Sequence, residues 1–210
     1  SKENTMHKPL ITACALALAA SAHTAASAPQ SGITPLSGYA HSGNHCYGFT
    51  APGGWTMDNS TLAAEGVPII FLPEGSAWKN APMVMYTRTR NSDTAADAQA
   101  IIKKQVDETI AMYRDSEPKQ TVSAAKEADF TGRDGAHGEL LHYIGYAGPD
   151  VEEMAAYFPG KNTLDFFVLQ LGKGADHAAG KAALHELAAS YHEREPCDEQ
   201  THGACRIKAE

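Results

Sequence analysis

The side chains able to do chemistry are thinly spread along this chain. Cys197, His202 and Cys205 stand closest to a ligand set, because Cys-x4-His-x2-Cys supplies two thiolates and an imidazole to an ion such as zinc. No fourth protein ligand lies near them in sequence, and two thiols in an oxidising space make a disulfide more readily than a metal site. His41 and His45, beside Cys46, have helical ligand spacing, but Gly43 and Asn44 between them argue against a helix, so both read as solvated histidines. On the second helix expected below, His185 and His192 are two turns apart, about 10.5 Å along the axis, which is too far to share one ion. His142 alternates with Leu140 and Ile144 on one strand face and reads as a hydrogen-bonded core histidine. Cys46 lacks the surroundings of a thiol protease, and neither a Gly-x-Ser-x-Gly elbow nor a phosphate-binding glycine loop occurs. No catalytic constellation is therefore visible, and no cofactor is implied. The remaining candidate is the stretch from Pro73 to Pro82, where Glu74, Ser76, Trp78 and Lys79 combine an aromatic anchor with polar groups between two strands.

The elements that must position these residues begin after an address. Lys8 precedes an apolar run from Leu10 to Ala20 and a small-residue stretch to Ala28, the pattern of a cleaved signal peptide over residues 1–28. The run falls short of the roughly 20 residues a helix needs to cross a bilayer, so no transmembrane segment is expected in the mature chain. Lipid attachment at Cys14 is the lesser reading, because the apolar run continues past it. Export predicts a periplasmic or secreted protein with one disulfide among Cys46, Cys197 and Cys205, the short separation favouring Cys197 with Cys205.

Residues 29–44, rich in Ser, Gly, Pro and Ala, read as a flexible leader, residues 45–195 as one domain, and residues 196–210 as an irregular polar tail. Within the domain, strand patterns are expected at Cys46–Thr50, Val67–Leu72 and Met83–Arg90. Ile102, Val106, Ile110 and Tyr113 then repeat at helical spacing behind a capping box of Thr94 and Asp97. Strands Thr121–Phe130, His137–Tyr146, Glu153–Phe158 and Thr163–Leu171 follow, joined by connections too short for parallel crossovers. The last of them is apolar on both faces, so the sheet needs cover on both, and a second helix at Asp176–Glu193 supplies part of it. The fold class is α+β, a central mainly antiparallel sheet of about six to seven strands with helices on both faces. The net charge of −8 over 210 residues, without a basic cluster, excludes a nucleic-acid partner.

Phe71, Pro73, Gly75, Ser76 and Trp78, followed by Pro82, Val84, Met85 and Tyr86, form a stretch that resembles exported bacterial proteins of the PsbP-like superfamily. Pro52, Gly54, Trp55, Asp58 and Asn59 fit the same pattern, and the resemblance runs from Tyr47 to Tyr191. It implies an α/β sandwich shared by photosystem accessory proteins, a Ran-binding nuclear transport factor and small exported or lipid-anchored bacterial proteins. It further implies a non-enzymatic binding or accessory role toward a protein or small molecule. Two alternatives stand beside it: a periplasmic metal-binding protein using His41, His45, His202 and the tail cysteines, and a hydrolase assembled from residues distant in sequence.

Overall fold

The structure, a computed structural model, describes residues 36–42, 45–62, 67–92, 97–116, 118–145, 151–193 and 206–209. In chain order these form β1 (Leu36–Ser42), β2 (His45–Thr50), β3 (Trp55–Asp58), β4 (Ile70–Pro73), β5 (Met83–Asn91), α1 (Ala98–Ser116), β6 (Ser123–Thr131), β7 (His137–Ile144), β8 (Glu152–Pro159), β9 (Thr163–Leu171), α2 (His177–Ala189), β10 (His192–Glu193) and β11 (Arg206–Ala209). Seven strands make one sheet in the order β3-β4-β5-β9-β8-β7-β6, and four make a smaller one, β10-β2-β1-β11. Every ladder is antiparallel.

Alternation along the central strands decides the layers. On β9, Leu164, Phe166 and Val168 meet Ile101, Ile102, Val106 and Tyr113 of α1 on one face. On the other face, Phe167, Leu169 and Leu171 meet Leu184 and Leu187 of α2 and Tyr47 and Phe49 of the small sheet. The expected helices on both faces are present, and the small sheet shares one of those faces with α2. Aromatic edges fill the seam between the sheets: Phe49 stands edge-on to Phe71 and to Phe167, and Tyr191 stacks on Phe158 with 4.0 Å between centroids.

Both helices start at an aspartate. The Asp97 carboxylate accepts the Ala100 N–H at 2.8 Å, and Asp176 accepts that of Ala179 at 3.0 Å, each satisfying an orphan donor of the first turn. Thr94, the other half of the expected capping box, lies outside the described residues.

Three expectations are corrected. Residues 36–42, assigned to a flexible leader, are β1 and pair with β2 from Ser37↔Thr50 to Ser42↔His45. Small residues at Ser37, Gly38 and Ala40 make this segment look like a linker, yet Gly38, having no side chain, lets it lie close over Phe49 and Met57. The tail is not irregular throughout, because β11 pairs with β1 from Leu36↔Ala209 to Tyr39↔Arg206. Finally, α2 stops at Ala189 rather than Glu193. The Ser190 hydroxyl donates to Leu187 O at 2.6 Å and accepts the Thr50 N–H at 2.8 Å, which turns the chain into β10 alongside β2. His192 therefore lies off the helix that carries His185, and the His185 ring packs edge-on against Phe130 at 4.9 Å.

Candidate functional site

Pro73 ends β4, and Gly75, at φ +78°, lets the chain reverse where a side chain would be strained. Ser76 N–H donates to Pro73 O at 3.0 Å, and Glu74 N–H reaches Gly54 O at 2.8 Å, clipping the loop to the turn before β3. A second turn follows, in which Asn80 Oδ1 accepts the Ala77 N–H at 3.0 Å while Asn80 N–H returns to Ala77 O at 3.0 Å. The loop thus holds its own shape by hydrogen bonds. Trp78 lies on it with 38% of its surface exposed, flanked by exposed Glu74 and Lys79, and Ser76 is half-buried.

Between the two sheets lies a buried carboxylate. Asp165, near the start of β9 and fully buried, faces His45 Nε2 at 2.5 Å through Oδ2, which also accepts the Tyr191 hydroxyl at 2.9 Å. Its Oδ1 accepts the Thr89 hydroxyl at 2.9 Å. A buried acid needs such partners, and each comes from a different segment: β2, β5 and the turn between α2 and β10. Burial and the neighbouring Asp165 charge push the Tyr191 phenol well above its ordinary range, so it remains a donor. His45 is accordingly not the solvated leader residue expected from sequence: its side chain is 16% exposed and clamps the small sheet to the large one. His41 sits across the hairpin, opposite Cys46 rather than beside His45 on one face. Cys46 is disulfide-bonded, so it is not the leftover thiol that a Cys197–Cys205 pair implies. His202, Cys197 and Cys205 lie outside the described residues.

His142 has the partners that its sequence neighbours did not offer. Its Nδ1 is 3.2 Å from Glu127 and its Nε2 3.5 Å from Glu152, while His177 Nδ1 reaches Glu152 at 3.1 Å and Lys181 Nζ reaches Glu127 at 3.4 Å. With a side chain 21% exposed, it belongs to a surface relay across β6, β7, β8 and α2 rather than to the core. The register carries it there: Ala125↔His142 and His142↔Met154 put the imidazole level with the bulge at Lys126/Ala128, which brings Glu127 within reach. Beside the relay opens a cleft of about 540 Å³ lined by Gln120, Thr121, His142, Ile144, Val151 and Glu152, among others. Both His142 nitrogens face carboxylates, whereas a hydrolytic triad needs one of them for the nucleophile's hydroxyl.

Under α1 the opposite face of the sheet carries a second buried carboxylate. Glu153 accepts from the Tyr113 hydroxyl and from Gln170 Nε2 at 2.9 Å. Burial holds its carboxyl above the ordinary range against both hydrogen bonds and the Arg88 charge. Beside it the Tyr143 and Tyr157 hydroxyls are 2.6 Å apart, and burial pushes Tyr143 up to about 12. Asp165 and Glu153 were both missed from sequence, although each stands out as an acid in an apolar strand, TLDFFVLQL and EEMAAYFP. That signal marks an interior polar partner without saying which one.

Among the described residues no group of three His, Cys, Asp or Glu side chains is placed to hold a metal ion, and no helix is long and apolar enough to cross a membrane. No protein-family model matches the chain. No curated protein matches it either. Among solved structures it is similar to cyanobacterial PsbP (CyanoP) from Synechocystis sp. PCC 6803, with 16% identity and a TM-score of 0.51 over 81% of this chain and 99% of that one. A protein from Bacteroides thetaiotaomicron is more distant, with 10% identity and a TM-score of 0.35 over 71% of this chain and 45% of that one. The fold is PsbP-like, and at this identity the likeness concerns fold alone.

Proposed function

We propose that this chain is an exported, non-enzymatic accessory domain that docks a protein partner through the β4–β5 loop, with Trp78 as its anchor. The observation that carries the reading is the exposure of Trp78 on a loop already ordered by its own hydrogen bonds. A large aromatic held in place loses little conformational freedom on binding, the condition under which tryptophan anchors interfaces. Glu74 and Lys79 on either side supply polar contacts of both signs for a rim. The acids inside the fold are engaged by neighbouring side chains, which leaves them structural work rather than catalysis. The signal-like residues 1–28 and the membership of exported proteins in the resembling superfamily support a periplasmic or secreted location.

A photo-crosslinking benzoylphenylalanine at Lys79 tests the docking in cells. A discrete adduct is expected, absent when the same chain carries Trp78→Ala and absent when the crosslinker is placed at Lys161 at the opposite end of the sheet. Equal adducts from both positions, or an adduct indifferent to Trp78→Ala, would sink the docking role.

A further inference from the structure

α1 packs on one face of the large sheet, and its hold is uneven along its length. In its first half Ile101, Ile102, Gln105 and Val106 are buried, while Lys103, Lys104, Asp107 and Glu108 face solvent. After Val106 the only buried residue is Tyr113, with Thr109 and Ile110 half-buried and Met112 57% exposed. The two halves meet where the Thr109 hydroxyl donates back to Gln105 O at 2.9 Å, a bond that weakens and bends a helix at that turn. The single buried anchor of the second half stands on an acid, because the Tyr113 hydroxyl donates to Glu153, which is 2% exposed on β8. β8 has ladders on both sides, so its backbone cannot move to carry that carboxyl to water. The titratable and charged groups around Glu153 are Tyr113 of α1, Arg88 of β5, Tyr143 of β7 and Tyr157 of β8, and β9 adds the amide of Gln170. Of these only the Arg88 guanidinium is cationic, and it lies over the Tyr86 ring, 5.7 Å from its centroid, with no ion pair to Glu153 among the described residues.

We propose that residues 109–116 form a pH-operated flap, closed while Glu153 is protonated and lifted from the sheet once it ionises. A carboxylate in an apolar space gains most by reaching water, and the least costly route removes the most weakly held cover. Burial holds the Glu153 carboxyl above its ordinary range, and opening relieves that burial, so the proton stabilises the closed helix. This closing contribution is complete below the open-state value and is lost as pH rises through the raised closed-state one. Lifting uncovers the Tyr143 and Tyr157 hydroxyls, which are 2.6 Å apart and both reached by the Thr109 hydroxyl. The first half of α1 and the aromatic core on the other face stay in place. The surface offered on this face thus changes with pH, independently of the Trp78 loop.

Amide hydrogen exchange of the full chain from about pH 4 to about pH 9, corrected for the intrinsic rate at each pH, tests the flap. Protection of residues 109–116 is expected to fall as pH rises, by up to about tenfold per pH unit, while residues 101–106 and β8 keep theirs. In Glu153→Gln, which still accepts from Tyr113 but cannot ionise, that fall is expected to vanish. Tyr113→Phe removes a donor that favours the charged form, so it is expected to keep the fall and carry it to higher pH. It also serves as the second variant should the first fail to fold. A flat profile in the wild type, an equal fall in residues 101–106 or β8, a fall that survives Glu153→Gln, or one that ends no later in Tyr113→Phe would each overturn the proposal.

Discussion

Glu153 on β8 sets a pH dependence that belongs to one side chain. Burial raises its carboxyl above the ordinary carboxylate range, and the hydrogen bonds from Tyr113 and Gln170 offset only part of that shift. A carboxyl that holds its proton more tightly folded than unfolded stabilises the fold fully below the unfolded value, and this contribution is lost as pH rises through the folded one. Glu153→Gln keeps the shape and still accepts from Tyr113, but it cannot ionise. In urea unfolding from about pH 4 to about pH 8, the variant is expected to gain stability relative to the wild type as pH increases. A gap that closes or reverses toward alkaline pH would mean that the ionised carboxylate is the better-held form. On the other face of the sheet Asp165 has a different set of partners, an imidazole at 2.5 Å and two hydroxyls.

At the scale of elements, what could be read from sequence was what local periodicity carries. Six of the seven strands of the large sheet, the two helices and the doubly buried β9 all show in the apolar alternation, while the four-residue β3 is too short to show one. Of the small sheet only β2 does, because β1 is built of Leu, Ser, Gly, Tyr, Ala, His and Ser, and its cover comes from residues that are distant in sequence. The site followed the same division. Trp78 was legible from its loop, while the partners of His45 and His142 were not, since they lie 120 residues away for Asp165 and on separate strands for Glu127 and Glu152. The small sheet also bears on the disulfide. β10 runs antiparallel to β2 with Glu193 opposite Tyr47, so the chain leaves β10 heading toward Cys46, and Cys197 follows within a few residues. Peptide mapping without reduction is expected to recover Cys46 joined to Cys197. Recovery of Cys46 with Cys205 or Cys14 would contradict the register argument.

For the molecule as a whole, the ladders fix which loops share an end of the large sheet. Pro73 pairs with Trp55, Met83 with Leu171, Leu171 with Glu152, and Ile144 with Ser123, so the Trp78 loop and the His142 cleft open at the same end of the large sheet. The other end carries the β6–β7 and β8–β9 turns. Stability is distributed across the sheet rather than along it. β5, β9, β8 and β7 have ladders on both sides and cover on both faces, whereas the small sheet is held to them by one face and by the Asp165 cluster. Regions with fewer buried contacts open in separate, cheaper steps. Native-state hydrogen exchange is therefore expected to find the slowest amides in β8 and β9, with β1, β2 and β10 opening earlier as a unit. Asp165→Asn should speed exchange in that unit before it affects the centre, because it weakens the tie from His45 and Tyr191 to β9 while leaving both apolar cores in place. Uniform acceleration across both sheets would instead mean that the two layers unfold as one, and that the small sheet is as integral to the fold as β9.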